Sequence, residues 1–148
     1  MTLSNTQAFT QKYVCIVPYD REENKVFLLK RCGKHSIGKW EFPAGKVESN
    51  EPFEYAAMRE FREEVGVDMF SIQFITEAHV RDAIDATKTF HSVYFSAERL
   101  IFDRDPINNE PDIHSEFGWF TFEELAEKDL TFAAQWMVDA ISAGTVKL

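Results

Sequence analysis

A single α/β domain, with a mixed β-sheet packed between helices, is the fold this sequence predicts. Strand-length apolar runs lie on both sides of a helical stretch, and a second helical pattern closes the chain. The 148 residues, 45% hydrophobic and including 14 Phe, can fill one core. The expected domain spans 1–148, with residues 1–10 loosely ordered.

Taken in order, residues 13–18 and 25–30 are apolar and β-branched enough for strands, and the polar run 20–24 reads as their turn. Gly33 and Gly38 bracket a loop, and residues 40–43 lead out of it. Pro52 suits the first position of a helix, where its missing N–H costs nothing, and Gly66 suits the stop. Residues 71–80 and 90–96 read as partner strands joined by a polar turn over 82–88. Residues 103–116, with Pro106 and Pro111, form a long acidic loop. Residues 118–120 make a short strand and 123–127 one or two helical turns. Thr131 can cap a helix from Phe132 to Ser142 that ends at Gly144.

Composition excludes several classes. The formal charge of −9 opposes binding of a nucleic-acid polymer, which needs a basic track. It leaves open a small polyphosphate whose charge a bound cation screens. No stretch is apolar and long enough for a membrane span, and the first ten residues lack the pattern of a signal peptide. Cys15 and Cys32 have no metal spacing and read as free thiols, consistent with a cytoplasmic setting. His35, His79, His91 and His114 show no ligand spacing either, and none is assigned a role.

The helix carries the chemistry. At 100° per residue Phe53, Ala56 and Ala57 share a face, and Glu60, Glu63 and Glu64 continue the same stripe. Three carboxylates there repel one another and oppose the negative end of the helix dipole. A bound cation would remove both costs, and hard oxygen ligands suit Mg²⁺, with Mn²⁺ as a substitute.

Gly45, Glu51, Arg59, Glu60, Phe61, Glu63, Glu64, Gly66 and Val67 fit the pattern G-x5-E-x7-R-E-U-x-E-E-x-G-U, where U is bulky and apolar. A chance match is on the order of one in a billion per start site. On this motif the chain resembles the Nudix hydrolases. Residues 38–45 resemble that family's approach to the motif, and residues 116–125 its late E-x-x-W…E-L pattern. The resemblance implies an α/β/α sandwich over residues 12–142 and metal-dependent cleavage of nucleoside diphosphate derivatives.

It also implies roles. Glu63 and Glu64 are expected to bind the metal, joined by the Ala44 backbone carbonyl, where the family more often has glycine. Glu60 is the expected general base, one turn earlier on the same face, and a possible further ligand. Glu51 and Arg59 are expected to pair and set the angle between loop and helix. A late-loop carboxylate is expected to join: Glu116 first, with Glu110 and Asp112 behind it. Arg31, with Lys30 beside it, is the expected phosphate contact, because a guanidinium fork fits phosphate oxygens. Phe132 and Trp136 are read as core residues first and as a wall for the base second. Relatives that read oxidised guanine carry an Asn near the start of the last helix; Ala134 aligns there, with Gln135 adjacent.

Other Nudix groups carry marks past the motif, and the segment 80–85 has neither the proline of ADP-ribose hydrolases nor the tyrosine of diadenosine-polyphosphate hydrolases. By elimination the chain is most similar to the MutT branch. The expected function is Mg²⁺-dependent hydrolysis of a nucleoside triphosphate, oxidised or not, to the monophosphate and pyrophosphate. The expected partner is thus a small nucleotide, with no nucleic-acid polymer and no membrane, and the protein a monomer or homodimer. The alternatives are a Nudix hydrolase acting on ADP-ribose or a dinucleoside polyphosphate, and a non-catalytic nucleotide-binding module.

Overall fold

The computed structural model describes residues 9–81 and 87–148. Residues 82–86 of the turn expected over 82–88 and most of the segment 80–85 lie outside the described residues, as do residues 1–8, while Lys88 already belongs to a strand. Residues 9 and 10 already belong to strand β1, so the order begins earlier than expected.

Among the described residues seven strands and three helices follow one another: β1 (Phe9–Asp20), β2 (Lys25–Arg31), β3 (Trp40–Glu41), β4 (Ala44–Lys46), α1 (Phe53–Val65), β5 (Gln73–Arg81), β6 (Lys88–Glu98), β7 (His114–Thr121), α2 (Phe122–Leu125) and α3 (Phe132–Ser142). A 3-10 turn at Arg99–Ile101 follows β6. The strands form a mixed sheet in the order β3-β2-β1-β6-β5, with β4 also on β1 and β7 on β2. β1 and β6 run parallel, Tyr13 opposite Ser92, and the other pairs are antiparallel.

Alternation along β1 splits the core in two. Cys15 and Val17 face one side, packed with Leu28, Tyr94, Met137 and Val138, where α3 covers the sheet. Val14 and Ile16 face the other, packed with Phe27, Ala56, Ala57, Phe61 and Val65, where α1 covers it. The predicted sandwich is therefore present, with helices on both faces.

Local chemistry sets the helix ends. Gly66 closes α1 at φ 74°, its N–H on the Arg62 carbonyl. This left-handed position is one that glycine adopts without a Cβ penalty. Pro52 sits one residue earlier than expected, as the extended N-cap residue. The Thr131 hydroxyl accepts from the Ala134 N–H and caps α3 as the sequence predicts. Several element boundaries differ from the expected ones, and β4 is an added strand. The acidic loop ends at 113 rather than 116, because β7 extends back to pair His114 with Arg31 and Glu116 with Lys30. Short β4 is anchored by β1 rather than by any propensity of its own.

Candidate active site

The loop before α1 is locked to the helix by one arginine. Arg59 grips Glu51 with two bonds, Nε to Oε2 at 2.8 Å and Nη2 to Oε1 at 2.9 Å. Its Nη1 reaches Glu60 Oε1 at 2.8 Å, and Nη2 also donates to the Lys46 carbonyl at 3.1 Å. Glu51 accepts further from the Glu48 N–H. Such a fork fixes direction as well as distance. The Glu51 carboxyl is held down to about 2 by the Arg59 bonds and then by the Glu48 N–H.

Gly45 explains itself sterically. A Cβ there would lie 2.1 Å from the Glu60 Cδ, so a side chain at this position would push the Glu60 carboxylate out of its place. One residue earlier, the Ala44 N–H donates to Glu64 Oε2 at 3.2 Å. The Ala44 peptide and the Glu64 carboxylate are thus brought together.

Glu64 is only 7% exposed. Burial, then the charges of Glu41 and Glu60, push its carboxyl well above the ordinary range, against the Ala44 N–H. Burial also raises Glu60, despite Arg59, with Glu63 and Glu110 adding. Glu110 is raised by burial first; His114 lowers it, while Glu63 and Glu41 raise it. Glu63 is exposed and receives only a 3.4 Å contact from Arg59.

The two nearby arginines are already engaged. Arg59 is committed to Glu51 and Glu60, and Arg31 bonds Glu41 at 2.9 Å and the His35 carbonyl at 2.6 Å. Among the described residues no cationic side chain pairs with Glu64. Beyond burial, Glu60, Glu64 and Glu110 are each raised by neighbouring carboxylates, Glu63 among them, and carboxylate oxygens of this kind suit a hard divalent cation, whose charge would relieve the repulsion.

Beside this cluster opens a cavity of about 710 Å³, lined by Arg31, Glu41, Ala44 and Lys46 at one end and by Tyr94, Phe132 and Trp136 at the other. Phe132 is 74% exposed, and the Trp136 ring lies 5.3 Å from that of Tyr94. Both aromatics thus stand as a cavity wall, and Phe132 is no core residue. Ala134 also lines the cavity. Gln135 is exposed and bonds Asp139 instead.

Two expected residues lie elsewhere. Lys30 bonds Glu116 at 3.0 Å across β2 and β7, and neither lines the cavity. Glu110, not Glu116, is the late-loop carboxylate felt by Glu60 and Glu64. Sequence reading also passed over Glu41 and buried His114, whose Nε2 lies 2.8 Å from Glu41 Oε2. The approach to the motif carried Glu41 in plain view. Nothing local marks His114, which reaches Glu41 only through the pairing of β7 with β2.

A family model for the NUDIX domain matches residues 10–140. The nucleoside triphosphatase NudI of Escherichia fergusonii is 30% identical over 132 residues, 81% of this chain and 89% of that protein. An 8-oxo-dGTP diphosphatase of Proteus vulgaris is 45% identical over 60 residues, 39% of this chain and 54% of that one. The chain thus spans about half the length of that diphosphatase. The crystal structure of a MutT NUDIX hydrolase from Burkholderia pseudomallei superposes with a TM-score of 0.77 at 26% identity, covering 88% of this chain and 96% of that one. With Gly45, Glu51, Arg59 and Glu60 in mutual contact and the family model matched over most of the chain, the chain belongs to the Nudix hydrolases, on their MutT-like side.

Proposed function

We propose that the chain hydrolyses a nucleoside triphosphate to the nucleoside monophosphate and pyrophosphate, with Mg²⁺ as its divalent cation. The observation that carries this reading is the carboxylate cluster of α1, whose Glu64 has no cationic partner among the described residues and accepts from Ala44, a residue that lines a cavity with aromatic walls. Similarity to proteins named nucleoside triphosphatase and 8-oxo-dGTP diphosphatase supports the same substrate class.

Glu63, Glu64, Glu60, Glu110 and the Ala44 carbonyl would hold the cation. When bound, it supplies positive charge for the polyphosphate oxygens and acidifies water. Glu60 takes the proton as the water oxygen bonds to phosphorus and the bridging P–O bond breaks, releasing pyrophosphate. Its raised proton affinity suits that task. Glu51 and Arg59 hold β4 and α1 in register and touch no substrate. Arg31 and Lys46 line the cavity and meet phosphate, whereas Lys30 is paired with Glu116. The base lies between Phe132 and Trp136. With Ala134 at the start of α3 and Gln135 turned to Asp139, α3 offers no side-chain amide to the base. This favours recognition by stacking and by groups on the sheet.

No helix among the described residues is long and apolar enough to cross a membrane. Two free cysteines support a cytoplasmic setting, as a monomer or homodimer.

A pyrophosphate-release screen with Mg²⁺ tests the reading. It covers common and oxidised nucleoside triphosphates, ADP-ribose and diadenosine polyphosphates, with Glu63→Gln as control. Pyrophosphate release from a triphosphate, lost in the variant, is expected. Turnover of ADP-ribose or a dinucleotide alone overturns the substrate class, and no turnover at all overturns catalysis.

A further inference from the structure

The pairing of β5 with β6 places His79 opposite His91, and Glu77 two residues from His79 on the same face. The opposite face of these strands contributes Ala78, Val80, Phe90 and Ser92 to the nucleotide cavity. The three polar residues therefore project from the other side of the sheet, away from that cavity. The two imidazoles stack with centroids 4.1 Å apart and planes 17° from parallel. Both turn Nε2 toward one atom, Glu77 Oε1, at 3.3 Å each. All three ligand atoms lie within 4.8 Å of one another. The Phe53 ring backs His91 at 5.0 Å.

Hydrogen bonding alone accounts poorly for this arrangement. Both contacts are longer than a good N–H···O bond. His91 Nε2 is buried and has no hydrogen-bond partner. As ligand-to-ligand edges, however, the two 3.3 Å distances match a tetrahedral ion with bonds of about 2.0–2.1 Å, whose ligands lie ~3.3 Å apart, and the stacked rings need to splay for both Nε2 lone pairs to meet it. Two imidazoles and one carboxylate suit Zn²⁺, Ni²⁺ or Cu²⁺ and suit Mg²⁺ poorly. His79 and Glu77 are 65% and 48% exposed, so an ion has access and a fourth position stays open to water.

We propose that Glu77, His79 and His91 form a second metal site, selective for Zn²⁺ and related transition ions over Mg²⁺, at the β5–β6 edge of the sheet. Its ion clips edge strand β5 to β6, on the opposite face from the nucleotide.

The test titrates ZnCl₂ into the ¹⁵N-labelled chain held in saturating Mg²⁺ and follows the imidazole ¹⁵N resonances. The Nε2 resonances of His79 and His91 should move together and saturate at one equivalent, while that of His35 stays. Competition with a chelator should show Zn²⁺ affinity at least about tenfold weaker in His79→Gln and His91→Gln. The metal-free variants should release pyrophosphate with Mg²⁺ as the parent does. Static His79 and His91 resonances overturn the site, as does movement of His114 alone, which would place Zn²⁺ among the carboxylates. Unchanged affinity in both variants also overturns it. Should either variant not fold, the resonances of the parent chain decide.

Discussion

Glu51, just before α1, and Glu64, in its last turn, belong to the same motif, yet their carboxyls are driven in opposite directions. Glu51 receives a two-pronged guanidinium and a backbone N–H, and its proton affinity drops. Glu64 is buried among other carboxylates with one peptide N–H for company, and its proton affinity climbs. The difference separates two jobs. A neutralised carboxylate is a joint that stabilises the fold. A carboxylate without a counter-charge is a cost to the fold, and it is tolerated where an ion is to be bound.

The largest expected effect comes from removing the un-neutralised charge. Glu63→Gln and Glu64→Gln should each lower Mg²⁺-dependent turnover by roughly a hundredfold or more while the fold survives. Metal-free Glu64→Gln should be more stable than the parent by ~1–2 kcal/mol at neutral pH, a Tm rise of roughly 2–6 °C. A raised carboxylate makes the folded state bind the extra proton, so its penalty grows as pH rises. The variant's advantage should therefore shrink as pH falls toward the ordinary carboxylate range. Calorimetry without metal across pH checks this, and a Glu64→Gln variant less stable than the parent would break the comparison.

A middle effect is expected at the joint. Glu51→Gln should lower turnover by about 10–100-fold by loosening Arg59. Its stability signature has the opposite sign. A depressed carboxylate stabilises above its ordinary pKa, here 4.5, and the contribution is lost as pH falls toward about 2. Acid-unfolding curves of parent and variant should thus differ at neutral pH and converge over that window.

The smallest effect sharpens the boundary of the cluster. Glu110→Gln should raise the Mg²⁺ requirement by up to about tenfold, whereas Glu116→Gln, which only frees Lys30 on the sheet, should leave it within about twofold. Metal-dependence curves of the two variants decide which late carboxylate belongs to the site.

Much of the fold and part of the site was legible in the chain itself. The α1 stripe, its Gly66 stop and the Thr131 cap follow from helical period and end chemistry, which act within a few residues. The pairing of Glu51 with Arg59 was expected from the motif, and the geometry agrees. The cavity role of Phe132 was not legible, because an aromatic at the start of an amphipathic helix reads equally as core. The extra residues of β7 were not legible either, since only pairing with β2 makes strand of them.

What the amino-acid sequence by itself determined is the sandwich, the carboxylate stripe of α1 and the family, because periodicity, caps and a dense motif are local signals. Tertiary structure alone decided that Glu116 pairs with Lys30 on the sheet, that Glu41 meets His114, and that His79 meets His91. Those groups meet through strand register and loop path, and register depends on the packing of the whole sheet.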